Sequence, residues 1–321
     1  MCWVGLVACL LLRDDQRSYY LDRVYIDPKL VNCEGLRMSK QTLMVPSKTV
    51  QKFNDWKKDF INGKYRAYIP AHKANKISRR HLIYCMTQKR EVSCLSDGER
   101  RTYAVQLNIP STVAVMEQFA LDIDETLDIA VALNIRHPCN WKTGEAYVMT
   151  TDFVVQRATG DLDRPLRTIA YTFKYWDKIY KMDPNGKRVR ISRRTWEKFE
   201  IERAFWNSKG IEYRVITELD ATKAQLWNID FCRAARGMSV PESEMVSFLN
   251  AFDLHWSNEP YLTLKQLVNR VASDLQINED YSFKLFKFGV LNWRIAINRA
   301  QYLRTFRPVY KSQNDEIGEL L

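Results

Sequence analysis

Glycine and proline are sparse in this 321-residue chain, at 11 and 10 residues, and no long polar tract interrupts it. Extensive low-complexity disorder is thereby excluded outside the ends and a few loops. No 20–50-residue repeat is visible, which excludes a solenoid or propeller. No apolar run is long enough to span a bilayer as a helix, and the longest, Cys2–Leu12, is too short. That segment also lacks a basic stretch before it and a small-residue cleavage site after it, so it makes a poor signal peptide. It reads either as a packed N-terminal segment or as the result of a start assigned too early, with Met38 the alternative start, and intact mass of natively expressed protein separates the two. The seven cysteines, Cys2, Cys9, Cys33, Cys85, Cys94, Cys139 and Cys232, are odd in number and show no Cys-x-x-Cys spacing. A disulfide framework and a structural zinc site are both disfavoured. Reduced thiols packed as small apolar groups fit a cytoplasmic protein.

What is present is a 46% apolar composition, enough to bury a core of two domains, and a formal net charge of +11. From Ala221 onward there are 12 basic and 11 acidic residues, against 37 and 27 before it. The surplus therefore sits in the N-terminal two thirds. It has two readings: a footprint for a polyanion such as DNA or RNA, or merely a basic soluble protein.

Periodicity supplies the elements. Val50, Phe53, Trp56 and Phe60 have helical spacing within Ser47–Phe60. His81–Thr87 is strand-like and follows a broken basic stretch holding Lys73, Lys76, Arg79 and Arg80. Ser96 stands three residues before Glu99, the spacing of a capping box, ahead of a helix through Leu107. Thr112–Leu121 reads as a strand and Asp124–Leu133 as an amphipathic helix. Tyr147–Gln156 and Arg167–Trp176 read as the two strands of a hairpin across the turn at Thr159–Pro165. After a second turn at Pro184–Gly186 come a long helix, Arg194–Ser208, closed by Gly210, and a strand, Glu212–Thr217. This is an α/β domain ending near residue 220. The remainder is mainly helical, with Leu264, Leu267, Val268 and Val271 in one stripe. A helix through Phe286–Leu291 leading into a two-stranded wing makes a winged-helix-like domain, and a three-helix bundle fits as well. The expected domains are an N-terminal extension over 1–65, a catalytic domain over 66–220 and a C-terminal domain over 221–321.

The candidate chemistry lies in the hairpin. Asp152 sits in one strand, Lys174 in the next, and Thr172 shares the face of Lys174. An Asp and a Lys on adjacent strands form either a cross-strand pair or part of an active site. Both lie within apolar strands, where an unpaired charge is costly. Glu99 offers a second carboxylate, and two such acids suit Mg²⁺. Arg188, Arg190, Arg193 and Arg194 form the densest basic cluster, a candidate for DNA-backbone contact or a solvated turn. His137 reads as a structural hydrogen-bonding residue, with a soft-metal pair to Cys139 as the lesser alternative. Glu197, Glu200 and Glu202 read as a largely solvated helix face.

The stretches LSDGER (Leu95–Arg100), EQFALDIDETLDIA (Glu117–Ala130), IRHP (Ile135–Pro138), VMTTDFVV (Val148–Val155) and WEKFEIERAFWNSKGI (Trp196–Ile211) occur in that order. Together they resemble the TnsA family, the endonuclease subunit of heteromeric cut-and-paste transposases. The resemblance runs from about Arg79 to Thr217 and continues weakly beyond. It implies a restriction-endonuclease-like core with a C-terminal winged-helix-like domain. It also implies a Mg²⁺-dependent nuclease, with Mn²⁺ as a substitute, that nicks the 5′ strands at transposon ends. The implied partners are a TnsB-like DDE transposase and a TnsC-like ATPase regulator. By position the catalytic residues are Glu99, Asp152 and Lys174. The expected metal ligands are Glu99, Asp152, Thr172 and the backbone carbonyl of Phe173. One departure stands out, because Thr172 occupies the position of the family's Gln in its Gln-x-Lys motif. The rival readings are a stand-alone restriction or junction-resolving nuclease, and an assembly factor with a degraded site.

Overall fold

A computed structural model describes residues 43–74, 78–161 and 165–312. The apolar segment Cys2–Leu12, Met38 and Lys76 lie outside the described residues. The chain divides into two compact units. One runs to Glu99 and resumes over Ala114–Thr217; the other comprises Arg100–Val113 and Glu218–Leu321.

The first unit is a mixed α/β fold. Helix α1 (Ser47–Ile61) forms where the spacing predicts it, and buries Phe53, Trp56 and Phe60. Strands β1 (His81–Cys85) and β2 (Arg90–Cys94) pair antiparallel. Helix α2 (Asp97–Leu107), which belongs to the second unit from Arg100 on, starts on the Ser96 signal: the Glu99 amide donates to Ser96 Oγ at 3.1 Å. The Glu99 carboxylate turns back to accept from the Leu95 amide at 2.8 Å. Strand β3 (Thr112–Ala120) leads to α3 (Ile123–Ala132), which is capped by Asp122 accepting from the amides of Asp124 and Glu125. Strands β4 (Thr150–Ala158) and β5 (Leu166–Phe173) then follow.

The central sheet has the order β3-β4-β5-β8, where β8 is Glu212–Ile216. Strands β4 and β5 are antiparallel, with Val154 opposite Ala170. Strand β8 runs parallel to β5, with Thr172 opposite Val215. A parallel return needs a crossover element, here the long helix α5 (Arg193–Asn207). Before α5 come the short helix α4 (Trp176–Ile179) and a two-stranded ribbon, β6 (Tyr180–Met182) with β7 (Arg188–Arg190), on either side of the expected Pro184–Gly186 turn. Strands β2, β6 and β7 have no clear alternation of their own in the sequence, and it is their pairing that makes them strands. Gly210, at φ 67°, releases the chain from α5 into β8.

Helix α5 lays Trp196, Phe199, Ile201, Phe205 and Trp206 onto the sheet. Phe119 is the meeting point of this core. Its ring lies 5.1 Å from Trp56, 5.4 Å from Phe60 and 5.6 Å from Trp206. Cys85, Cys94, Cys139 and Cys232 are all buried.

The second unit is mainly helical: α6 (Lys223–Cys232), α7 (Glu242–Asn258), α8 (Leu264–Asp274) and α9 (Glu279–Leu291). The stripe Leu264, Leu267, Val268 and Val271 is buried as expected, against Phe248, Phe252, Phe286 and Val290. Phe286–Leu291 is helical to its end, where Gly289 O accepts from the amides of Arg294 and Ile295. The expected two-stranded wing is smaller than its alternation suggests. Among the described residues after α9, β pairing is limited to the isolated bridges Ile297↔Lys311 and Thr263↔Pro308. Among the described residues no helix is long and apolar enough to cross a membrane.

Truncating Phe119 removes the ring that joins α1 to α5. Phe119→Ala is expected to cost about 3–5 kcal/mol in chemical denaturation, whereas Tyr84→Phe, at a 59%-exposed site on β1, is expected to change nothing measurable.

Candidate active site

Glu99 and Asp152 meet near the first turn of α2 and the open ends of β4 and β5. Glu99 is 8% exposed, because the capping turn folds its side chain inward. Its carboxylate accepts from the Leu95 amide, from Ser96 Oγ at 3.2 Å and from Gln118 Nε2 at 3.2 Å. Asp152 accepts from the Phe173 amide at 2.8 Å on one oxygen and from the same Gln118 Nε2 at 3.3 Å on the other. A single amide group thus bridges the two carboxylates. Only half of the expected capping box forms, because the Glu99 carboxylate accepts from the Leu95 amide and not from that of Ser96, and the same turn brings Glu99 to Gln118.

Gly98 adds a steric link. The Phe173 ring lies over its Cα so closely that a Cβ there would fall 1.9 Å from Phe173 Cε1. Only glycine lets the end of β5 seat itself against the turn that carries Glu99.

Lys174, one residue beyond β5, is exposed and donates its amide to Ile216 O at 2.9 Å. Its charge is felt at Asp152, where it lowers the carboxyl pKa. Burial outweighs this and the hydrogen bonds, so Asp152 lies above the usual carboxylate range. Glu99 is likewise raised, first by burial and then by the charge of Asp152. Two desolvated carboxylates repelling one another are poised to gain from a bound cation.

The sequence reading missed two residues. Gln118 is 2% exposed and has φ 49°, in the left-handed region. Its position inside an apolar strand held the only available hint. Glu202, read as part of a solvated face, is instead 5% exposed. It accepts from Thr172 Oγ1 at 2.6 Å and Thr151 Oγ1 at 3.2 Å. Burial is the main cause that pushes its carboxyl up to about 8. It lies on the inner face of α5 between Ile201 and Phe205, all three buried, and only the docking of that helix onto the sheet distinguishes it from Glu197 and Glu200.

The Thr172 hydroxyl, expected to face a metal, is engaged with Glu202. Phe173, whose backbone carbonyl is the other expected ligand, is held against Asp152 through its amide. In an extended strand a residue's N–H and C=O point to the same side, and the Phe173 N–H points at Asp152. The arginine cluster divides. Arg188 and Arg190 lie on β7, stacked over Tyr180 and Trp196 at 4.5 and 4.1 Å. Arg193 is exposed and pairs with Glu197. Arg194, half-buried, is held by Arg136 O and Glu197. His137 is buried between Pro138 O and Thr126 Oγ1.

Among the described residues no three His, Cys, Asp or Glu side chains cluster to hold a metal. The groups that do meet are two carboxylates and the Gln118 amide. Those carboxylate oxygens suit a hard cation completed by water or phosphate, not a thiolate or imidazole site.

A mixed sheet flanked by helices is the architecture of a restriction-endonuclease-like fold, and buried Glu99, half-buried Asp152 and Lys174 lie at its strand ends. Residues 109–218 match the family described as TnsA-like endonuclease N terminal. Asp152, Thr172, Lys174 and Glu202 fall inside that stretch, and Glu99 lies ahead of it. Over 167 residues the chain is 26% identical to the Transposon Tn7 transposition protein TnsA of Escherichia coli, covering 52% of this chain and 55% of that protein. The chain thus spans about half the length of that curated relative. Both findings are similarities: the family match is confined to residues 109–218, and the curated relative is matched over about half of each chain.

Glu202 binds its proton more tightly folded than unfolded. Its contribution to stability is therefore full below about pH 4.5 and is lost as the pH rises through about 8. Glu202→Gln is expected to raise the metal-free thermal midpoint at pH 8, with the gain shrinking toward pH 5. A gain equal at both pH values would contradict the burial assigned to this carboxyl.

Proposed function

We propose that this chain is a divalent-metal-dependent DNA endonuclease that nicks the 5′ strands at transposon ends, as one subunit of a heteromeric transposase. The observation that carries this reading is the convergence of Glu99 and Asp152 on one desolvated spot beside Lys174. Glu99, Asp152 and the Phe173 carbonyl would hold Mg²⁺, or Mn²⁺ in its place. When bound, such an ion acidifies a water and offsets charge on the phosphate. Lys174 places a fixed positive charge beside that phosphate and orients the attacking water. The first turn of α2 orients Glu99, and the Phe173 amide fixes Asp152, so neither carboxylate needs to reorganise as the phosphodiester is cleaved.

The relative is named as a transposition protein, which supports a role in transposition; a TnsB-like DDE transposase and a TnsC-like ATPase regulator are the partners this reading calls for. The near-neutral charge balance after residue 220 suits partner contacts by the second unit, and the basic first unit suits DNA.

Nicking of a transposon-end duplex in the presence of Mg²⁺ and the cognate transposase tests this reading. Asp152→Ala and Lys174→Ala are each expected to lose about 100-fold or more, with unchanged circular dichroism. Cleavage by both variants equal to wild type would overturn the site.

Arg188 and Arg190 present guanidinium groups from the β6–β7 ribbon. Replacing both with Ala is expected to weaken DNA binding uniformly across sequences. The slope of log affinity against log salt should fall by about 1 for each phosphate that is no longer neutralised, as read by fluorescence anisotropy.

A further inference from the structure

Gln118 combines four features that a packing residue does not need. It is a buried amide, its backbone sits at a positive φ of 49°, its Nε2 touches both acids, and its Oε1 accepts from Thr150 Oγ1 at 3.3 Å. The backbone is pinned on either side: Gln118 O accepts from the Tyr68 amide, and Phe119 is locked in the core. A left-handed conformation in a non-glycine residue persists only where its surroundings enforce it. Here the reward for that strain is an amide placed between two carboxylates.

We propose that Gln118 is an oxygen ligand of the divalent cation, reached by a half-turn of its side-chain amide. This rests on the nuclease reading above and extends its donor set. With no cation present, the amide NH₂ donates to Glu99 and Asp152 and relieves their repulsion. With a cation between the acids, that NH₂ would face positive charge, whereas a flipped amide presents Oε1 to it. The flip strands no group. The Thr150 hydroxyl, which donates to Oε1 in one orientation, accepts from Nε2 in the other, because a hydroxyl does both. The acids exchange an amide donor for the cation itself. Thr172, at the position where the family carries Gln, is already committed to Glu202, so the amide oxygen absent there is supplied from β3.

The test is Mn²⁺ binding to the full chain, followed by calorimetry and by electron paramagnetic resonance. Wild type is expected to bind Mn²⁺, and Asp152→Ala to lose it. Gln118→Met keeps the side chain's bulk without its oxygen and is expected to bind about tenfold more weakly. Gln118→Glu, which restores an oxygen donor with charge, is expected to bind at least as tightly as wild type. Thermal midpoints without metal establish that each variant is folded, and Gln118→Ala serves if Gln118→Met is not. If the amide were only a spacer that the metal displaces, its removal would leave Mn²⁺ affinity unchanged or improve it. That result, with binding still lost in Asp152→Ala, overturns this proposal alone. A wild-type protein that binds no Mn²⁺ overturns the nuclease reading and this one with it.

Discussion

Glu99, Asp152 and Glu202 bring three carboxyl groups into one poorly solvated region, and the first unit is organised around making that tolerable. A bare carboxylate in such a place costs several kcal/mol unless donors or a cation meet it. The fold supplies donors from four directions: the Leu95 amide and Ser96 hydroxyl at the start of α2, the Phe173 amide on β5, the hydroxyls of Thr151 and Thr172, and the Gln118 amide on β3. These donors come from separate elements, so the site exists only when those elements are assembled. On the proposed function, the residual repulsion between Glu99 and Asp152 would favour a bound cation.

The apolar core is what holds these donors in register. Trp206 illustrates the coupling: its ring packs on Phe119 at 5.6 Å while its Nε1 donates to Thr151 Oγ1 at 2.8 Å. Thr151 in turn donates to Glu202. Thus α5, which is needed as the crossover between parallel strands β5 and β8, also delivers a carboxyl and fixes the end of β4. Phe119 anchors the residue next to Gln118, and the Phe173 ring fills the space that Gly98 leaves open. The site and the core share the same handful of side chains, and a core substitution here reaches the chemistry by displacement rather than by direct touch.

Much of this was legible in advance. The hairpin alternation placed Asp152 on β4, though Lys174, expected within the next strand, stands one residue past its end; the Ser96–Glu99 spacing gave the start of α2, and the ordered motif blocks gave the resemblance to TnsA-like endonucleases. The readings that changed share one physical origin. Glu202 and Glu200 are two residues apart on the same helix, and charge patterning treats them alike; only the sheet against α5 makes one of them an interior group. Thr172 and Lys174 share a face by alternation, yet Thr172 meets Glu202 beneath the sheet while Lys174 stands past the strand's end. Strand β2 and the β6–β7 ribbon carry no periodic signal because their pairing, not their own pattern, makes them strands.

Local chemistry written into the chain therefore determined the elements, the basic first two thirds, and which acid and lysine were available, since caps, turns and alternation act over a few residues. Tertiary structure alone decided the depth of those acids, the bridging of Glu99 to Asp152 through Gln118, and the burial of Glu202. Desolvation and hydrogen-bond geometry depend on what several distant segments place within about 3 Å of one another, and that distance is set only when the sheet, the first turn of α2 and α5 pack together.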